Sequence, residues 1–133
     1  MDVAELQAFL EAGFPNELPY RVEEISDAGA RMRLAVDHSH VRPGGTVSGP
    51  SLMSLADCAA WLAIVGQIGP VALAVTTSLH IDFLRKPALV DVVAVATLLK
   101  LGTRLAVVDV ALYSVADDAL VAKAQVTYSI PPP

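Results

Sequence analysis

The segment from residue 50 to about residue 67 constrains the fold of this chain more than any other part of the sequence. It carries one charged residue, Asp57, and is apolar on nearly every side when drawn as a helix. Proline is tolerated best in the first turn of a helix, so Pro50 marks the start. A helix without a polar face belongs inside a protein, with other elements packed around it. The sequence therefore predicts a long central helix that the rest of the chain encloses.

The same apolar stretch can be compared with a membrane span, which needs about 20 predominantly apolar residues. Between residues 51 and 75 the run is broken by Asp57, by Gln67 and by the pair Gly69 and Pro70. We therefore expect a buried helix that leads into a strand, and no membrane partner.

Segments with the alternation of β-strands surround the central helix. Asp2 can cap a short N-terminal helix, which Gly13 ends. Two alternating segments, 20–27 and 31–38, predict a hairpin. Four longer runs of β-type composition follow the central helix, and the turn signals between them favour sequential antiparallel pairing. These runs are 71–85, 90–101, 103–114 and 120–130.

Together these elements predict one α+β domain over residues 1–133. An antiparallel sheet of about six strands wraps around one long helix, and a short helix precedes the sheet, which is the arrangement called the hot-dog fold. Hydrophobic residues make up 54% of the chain, and the mean hydropathy is +0.55. Apolar area beyond what one small core can hide tends to form an interface, so we expect a homo-oligomer, a dimer or a tetramer.

Charge and cysteine content narrow the possible partners and the compartment. The chain has 14 acidic and 9 basic residues and a net charge of −5, without a dense basic cluster, so nucleic acid is not expected as a partner. The single cysteine, Cys58, cannot form an internal disulfide and is expected to be a small core residue in a reducing compartment. The first residues lack a basic segment followed by an apolar run, which predicts the cytoplasm.

The stretch 42–50, which reads Arg-Pro-Gly-Gly-Thr-Val-Ser-Gly-Pro, and Asp57 beyond it resemble the PaaI-like (phenylacetate-degradation type) thioesterases of the hot-dog superfamily. That family typically reads Asn-Pro-x-Gly-Thr-Leu-His-Gly-Gly before an aspartate on the central helix. Segments 79–87 and 100–104 are similar to its later strands. The resemblance implies an acyl-CoA thioesterase that hydrolyses a small aryl- or acyl-CoA thioester in a site shared between two subunits. Coenzyme A is then part of the substrate, and no cofactor is expected.

Three positions depart from the family's motif. Arg42 stands at its asparagine, Ser48 at its histidine and Pro50 at its second glycine. The retained residues are Gly49 and Asp57. These departures motivate a second hypothesis, a non-catalytic hot-dog protein that binds an acyl-CoA or another apolar ligand. A hot-dog hydratase ranks last, because segment 37–43 lacks the asparagine and the spacing of the hydratase pattern.

Asp57 is the first candidate catalytic residue. Its neighbours one helical turn away are Met53, Ser54, Ala60 and Trp61. A carboxylate in such surroundings has lost much of its water and is costly without a partner or a task. It can serve as a general base or as a nucleophile toward a thioester, and the alternative is a structural Asp at an interface. Trp61 is a candidate substrate-binding residue.

Gly49 is the second candidate. Its N–H, at the start of the helix, has no intrahelical acceptor and can stabilise an oxygen that becomes negative in the transition state. The equal alternative is that Gly49 and Pro50 only shape the turn. Pro50 adds no N–H, and we place it among the substrate-binding residues. Gly49 and Asp57 lie eight residues apart, or about 12 Å along a helix. One chain cannot easily bring both to one thioester, so the two would come from different subunits, whose central helices pack antiparallel across a two-fold axis.

Five further residues are candidates for the site. Thr76 can orient a water for Asp57, although a strand threonine is more often simply a good β-former. Ser48 can contact substrate or, more readily, cap the central helix. Arg42 can pair with Asp57 or with a substrate anion, or be a solvated loop residue. Arg85 and Arg104, at turns or strand ends, can meet the phosphates of coenzyme A or simply be solvated.

The pair His38 and His40 has the spacing of two metal ligands on one face of a strand. No third ligand is evident nearby, so we predict no metal site.

Overall fold

A short helix opens the chain in the computed structural model, which describes residues 1–13, 18–70 and 74–132. Helix α1 spans Val3–Ala12. The Asp2 carboxylate accepts a hydrogen bond from the Glu5 N–H at 2.8 Å, and the Glu5 side chain bonds back to the Asp2 N–H. Gly13 ends the helix. The predicted start, cap and end of this helix are confirmed.

Six strands form one antiparallel sheet, and two very short strands form a separate ribbon. The strands are β1 (Tyr20–Ser26), β2 (Gly29–Leu34), β3 (Val41–Arg42), β4 (Thr46–Val47), β5 (Val75–Phe83), β6 (Val92–Leu101), β7 (Leu105–Ser114) and β8 (Leu120–Ser129). The predicted hairpin is β1–β2, and the four predicted runs are β5 to β8. Residues 71–73 at the start of the first of these runs lie outside the described residues.

The long central helix, α2, spans Gly49–Ile68 and lies against the inner face of the sheet, mainly on β2, β6 and β7. Nine of its residues are buried: Leu52, Leu55, Ala56, Ala59, Ala60, Leu62, Ala63, Ile64 and Val65. By length and composition alone α2 could cross a membrane. Its buried apolar side chains form the hydrophobic core together with the Val- and Ala-rich inner face of the sheet. The predicted hot-dog arrangement is confirmed.

The expected sequential pairing of the last four strands is wrong for β5. The strand order is β1-β2-β6-β7-β8-β5, so β5 pairs with β8 and not with β6. Residues 84–91 therefore form a long crossover rather than a hairpin turn, although the sequence there has the Lys-Pro pair of a turn. The reason is that β2, the inner strand of the hairpin β1–β2, has backbone N–H and C=O groups on its second side that need hydrogen-bond partners. Strand β6 supplies them.

The two edges of the sheet differ in how they are covered. At the β1 edge, the side-chain amide of Gln7 on α1 accepts from the Val22 N–H at 2.7 Å and donates to the Tyr20 carbonyl at 3.2 Å. At the other edge, nothing within the described part of the chain pairs with the outer side of β5, which is nine residues long and largely exposed. An open edge of this length is a template for another strand.

Candidate active site

The carboxylate of Asp57, in the middle of α2, is held by two hydroxyl groups. Its Oδ1 accepts a hydrogen bond from Thr76 Oγ1 at 2.7 Å and one from the Tyr128 hydroxyl at 2.9 Å. The same Tyr128 hydroxyl lies 3.1 Å from the Asp57 carbonyl oxygen. Asp57 is half-buried. The predicted proximity of Thr76 to Asp57 is therefore present, as a direct contact.

Antiparallel pairing explains why the two hydroxyl groups meet at one carboxylate. Thr76 on β5 and Tyr128 on β8 are opposite each other in the register. Tyr128 continues the inward-facing series of β8, after Ala122, Ala124 and Val126, and it is only 5% exposed. A buried tyrosine needs a partner for its hydroxyl. The sequence analysis missed Tyr128, and its inward position in the alternation of β8 is the signal that could have found it.

A cavity of about 490 Å³ opens beside Asp57. Its lining is Gly13, Tyr20, Ser54, Asp57, Cys58, Trp61 and Tyr128. Three of the chain's seven aromatic residues thus line one cavity. A fourth, Phe9, stacks on the Trp61 ring at a centroid distance of 5.5 Å and fixes its orientation. The predicted candidate Trp61 therefore lies next to Asp57, on an aromatic wall that suits an apolar group.

Among the described residues that line this cavity, Asp57 is the one carboxylate, and none is a lysine, arginine or histidine. Burial, and then the charge of Asp57, raises the pKa of the Cys58 thiol to about 12. Burial likewise raises the pKa of the Tyr20 phenol to about 12. Both groups keep their protons, so Cys58 is not poised as a nucleophile.

The start of α2 borders a second cavity, of about 380 Å³, whose lining includes Arg42, Gly49, Phe83 and Arg85. Ser48 caps the helix, because its Oγ accepts from the Ser51 N–H at 3.2 Å. Within the described residues, the Gly49 N–H has no hydrogen-bond acceptor. This cavity therefore joins a free helix-end donor with two guanidinium groups.

Gly49 and Asp57 do not meet within one chain. A Cβ atom placed on Gly49 would lie 3.5 Å from Phe83 Cζ at the end of β5, whereas Asp57 bonds to Thr76 near its beginning. Helix α2 thus runs antiparallel to β5. Thr76 and Phe83 are seven residues apart, or roughly 23 Å along an extended strand.

Three further predicted residues occupy separate places. Pro50 is exposed in the first turn of α2. Arg42 lines the Gly49 cavity, away from Asp57, so the alternative of an Arg42–Asp57 pair is not seen. Arg104 donates from Nε to the Ile130 carbonyl at 3.1 Å. It precedes β7 at the end of the sheet where β5 begins, so it is far from Arg85 in the same chain.

The histidine pair is arranged differently from the strand assumed in the sequence analysis. His38 and His40 lie in a single turn of 3₁₀-helix, where His40 Nδ1 accepts from the Asp37 N–H at 2.9 Å. In the parts of the chain that the structure describes, no three His, Cys, Asp or Glu side chains are close enough to hold a metal ion.

Comparison with protein families gives one match, to a family described as the thioesterase superfamily, over residues 44–121. This range is more than half of the chain. The protein belongs to the thioesterase superfamily. The matched range contains Gly49, Asp57 and Thr76, whereas Tyr128 lies beyond its end. A comparison with curated protein sequences gives no match.

Solved structures of this superfamily share the fold over nearly the whole chain. A provisionally assigned thioesterase from Silicibacter sp. TM1040 is 44% identical with a TM-score of 0.91, and the match covers 99% of this chain and 93% of that one. Thioesterase superfamily member 2 of zebra fish is 22% identical with a TM-score of 0.85, covering 98% and 99%. A mutant of the phenylacetic acid degradation protein PaaI from Thermus thermophilus is 28% identical with a TM-score of 0.75, covering 93% and 99%. The superfamily and these names indicate acyl-thioester hydrolysis as the general class of activity.

Proposed function

We propose that this protein is an acyl-CoA thioesterase that hydrolyses a small aryl- or acyl-CoA thioester in a site shared between two subunits. The observation that carries the proposal is the Asp57 carboxylate, which two neutral hydroxyl groups hold in place beside an aromatic cavity. A carboxylate held in this way can accept a proton from water without competition from a bound cation.

The proposed reaction needs two groups of the protein. Asp57 takes a proton from a water molecule, whose oxygen attacks the thioester carbonyl, and the Gly49 N–H stabilises the negative oxygen that forms. The C–S bond then breaks, the sulfur leaves with a proton as the thiol of coenzyme A, and a carboxylic acid remains. In the alternative course Asp57 itself attacks, and water then hydrolyses the resulting anhydride.

The open edge of β5 supports a dimer that completes this site. Gln7 already covers the β1 edge, so within the described residues β5 is the edge that is free to pair with a second copy. In an antiparallel pair of β5 strands, the Thr76 end of one copy faces the Phe83 end of the other. Asp57 accompanies the first end and Gly49 the second, so this pairing brings the donor of one subunit toward the carboxylate of its partner.

An exposed residue in the middle of α2 supports the same two-fold arrangement of the subunits. Met53 stands halfway between Gly49 and Asp57 and is 41% exposed, although it is a large apolar residue. An exposed methionine at the centre of the segment is suited to contact its own copy across an axis. The α2 helices of the two subunits would then cross antiparallel at Met53.

Basic residues support coenzyme A as the carrier of the acyl group. Arg42, Arg85 and Lys86 surround the cavity at Gly49, and in the proposed dimer Arg104 of the second subunit approaches from the opposite end of β5. Guanidinium groups bind phosphates through paired hydrogen bonds. The phosphates would lie at this basic end while the acyl group occupies the aromatic cavity.

Thioester hydrolysis by wild-type protein and by Asp57→Asn tests the proposal. On a panel of aryl- and acyl-CoA substrates, Asp57→Asn should lower kcat by about 10²- to 10⁴-fold. The asparagine oxygen can still accept from Thr76 and Tyr128, so the melting temperature should stay close to that of the wild type. Asp117→Asn is the matched control, because Asp117 Oδ1 accepts from the Ala119 N–H far from the cavity and asparagine preserves that bond. Equal activity of wild type and Asp57→Asn would exclude this mechanism.

A non-catalytic acyl-CoA-binding protein is the second candidate, favoured by Arg42, Ser48 and Pro50 in place of the family's motif residues. Calorimetry on the same panel separates the two. Tight binding of an acyl-CoA without its hydrolysis supports the second candidate and contradicts the first.

A further inference from the structure

The two oxygens of the Asp57 carboxylate are used differently. A carboxylate oxygen offers two lone-pair directions for hydrogen bonds. Oδ1 accepts from both Thr76 and Tyr128. In the described ranges, no donor reaches Oδ2. The protein therefore occupies one oxygen fully and leaves the other for a ligand or a water molecule.

We propose that Tyr128 is a positioning residue for this hydrolysis, which together with Thr76 occupies Oδ1 of Asp57 and so makes Oδ2 the oxygen that reacts. The inference rests on the proposed function of Asp57 and goes beyond it, because it assigns a role to a residue of β8 and selects one atom of the carboxylate.

The contacts of Tyr128 distinguish positioning from simple packing. Its hydroxyl lies 2.9 Å from Oδ1 and 3.1 Å from the carbonyl oxygen of the same residue, Asp57. One buried group therefore contacts both the side chain and the backbone of Asp57, which limits rotation of the carboxylate. A reacting group held in one orientation loses less freedom when the transition state forms. Thr76 is exposed on the edge strand, so of the two donors only Tyr128 is shielded from water.

Tyr128 remains a hydrogen-bond donor to Asp57. Within the described residues, the titratable groups that face Asp57 are Tyr128 from β8, Tyr20 at the start of β1 and Cys58 on α2 itself, and Thr76 on β5 adds a neutral hydroxyl. Burial, reinforced by the charge of Asp57, raises the pKa of Tyr128 above its usual value, so the phenol keeps its proton and remains a donor. Removal of the Tyr128 hydroxyl should therefore leave Thr76 as the one described donor to Oδ1.

Tyr128→Phe removes the hydroxyl and keeps the buried ring. We expect kcat to fall about tenfold with little change in KM, because the carboxylate then loses one of the two donors that fix its orientation. Tyr113→Phe is the matched control, because Tyr113 lies on β7 away from the Asp57 cavity. Its kcat and KM should equal those of the wild type. An unchanged kcat in Tyr128→Phe, or a loss of activity that appears only in KM, would overturn the proposal.

A measurement without substrate keeps this test separate from that of the proposed function. In protein labelled with carboxyl-¹³C aspartate, the Asp57 resonance is identified by its loss in Asp57→Asn. At one fixed pH its chemical shift should change in Tyr128→Phe, because Oδ1 loses a hydrogen bond, and should keep the wild-type value in Tyr113→Phe. This change supports the hold of Tyr128 on Asp57 even if no acyl-CoA is hydrolysed, and its absence contradicts that hold even if hydrolysis is found. If Tyr128→Phe does not fold, 3-fluorotyrosine at position 128, a stronger donor, should also change the chemical shift of the Asp57 resonance, and an unmoved resonance refutes the proposal.

Discussion

A dimer built from two differently disabled chains should regain about half of the wild-type activity, because one of its two sites is intact. One chain carries Asp57→Asn and the other carries Gly49→Leu. In the shared site of the proposed dimer, Gly49 of the first chain works with Asp57 of the second. The opposite site contains both substitutions and is inactive.

The choice of Gly49→Leu follows from the cavity at the start of α2. The new Cβ atom would lie 3.5 Å from Phe83 Cζ, an ordinary contact, so the fold accommodates it. Leucine keeps the backbone N–H, but the rest of its side chain should block access to that N–H from the cavity. An oxyanion donor that substrate cannot reach should lower kcat by about 10²- to 10³-fold, as its loss does, and loss of the Asp57 carboxylate by about 10²- to 10⁴-fold. Half of the wild-type activity would therefore stand far above either homodimer.

Co-expression with two different affinity tags isolates the mixed dimer, and release of the coenzyme A thiol measures its activity. The reciprocal dimer is the control, with both substitutions in one chain and a wild-type partner. A shared site predicts no activity for it, because each site then contains one disabled residue. A site within one chain predicts the reverse, with an inactive mixed dimer and a half-active reciprocal dimer, and that result would refute the proposed sharing.

Two further predictions concern the sheet and the basic residues. Gly29→Ala should lower the free energy of unfolding by about 3 kcal/mol and the melting temperature by about 10 °C, because its Cβ atom would lie 1.8 Å from the Ala96 carbonyl oxygen. Calorimetry checks this against Gly13→Ala, whose Cβ atom makes only ordinary contacts, and equal melting temperatures of the two variants would contradict it. Arg42→Ala and Arg85→Ala should raise KM several-fold for acyl-CoA but leave KM unchanged for the matching acyl-pantetheine, which lacks the nucleotide phosphates. Equal effects on the KM of both substrates would assign these residues another role.

The fold was largely predictable because α2 leaves few alternatives. A helix that is apolar on every side must be enclosed, and only the β-type runs were available to enclose it. The position of β5 was not predictable from its own residues. The Lys86 and Pro87 pair has the composition of a turn, but strand order depends on which open edge each strand covers. That competition involves β2 and β6, which are distant in sequence from the turn.

The candidate site was predictable only where local sequence carries the information. Asp57 is conspicuous as the one charge in α2, and its distance from Gly49 follows from helix geometry. Tyr128 is separated from Asp57 by 71 residues, and nothing in the residues around it specifies what its hydroxyl meets. Only the register of β8 against β5, with the packing of both strands on α2, brings it to the carboxylate.

The open edge of β5 and the divided site have a common explanation in the proposed dimer. A straight helix separates its first N–H from a carboxylate two turns later by about 12 Å, so no repacking within one chain can bring Gly49 and Asp57 to the same carbonyl group. In the proposed dimer, a two-fold axis through the middle of β5 and α2 would remove this obstacle and form two equivalent sites. A side chain that covered β5, as Gln7 covers β1, would make the edge safer against unwanted pairing but would also keep the two halves of each site apart. On this reasoning the uncovered edge is required for catalysis, and substitutions that block it should abolish hydrolysis while leaving the folded monomer intact.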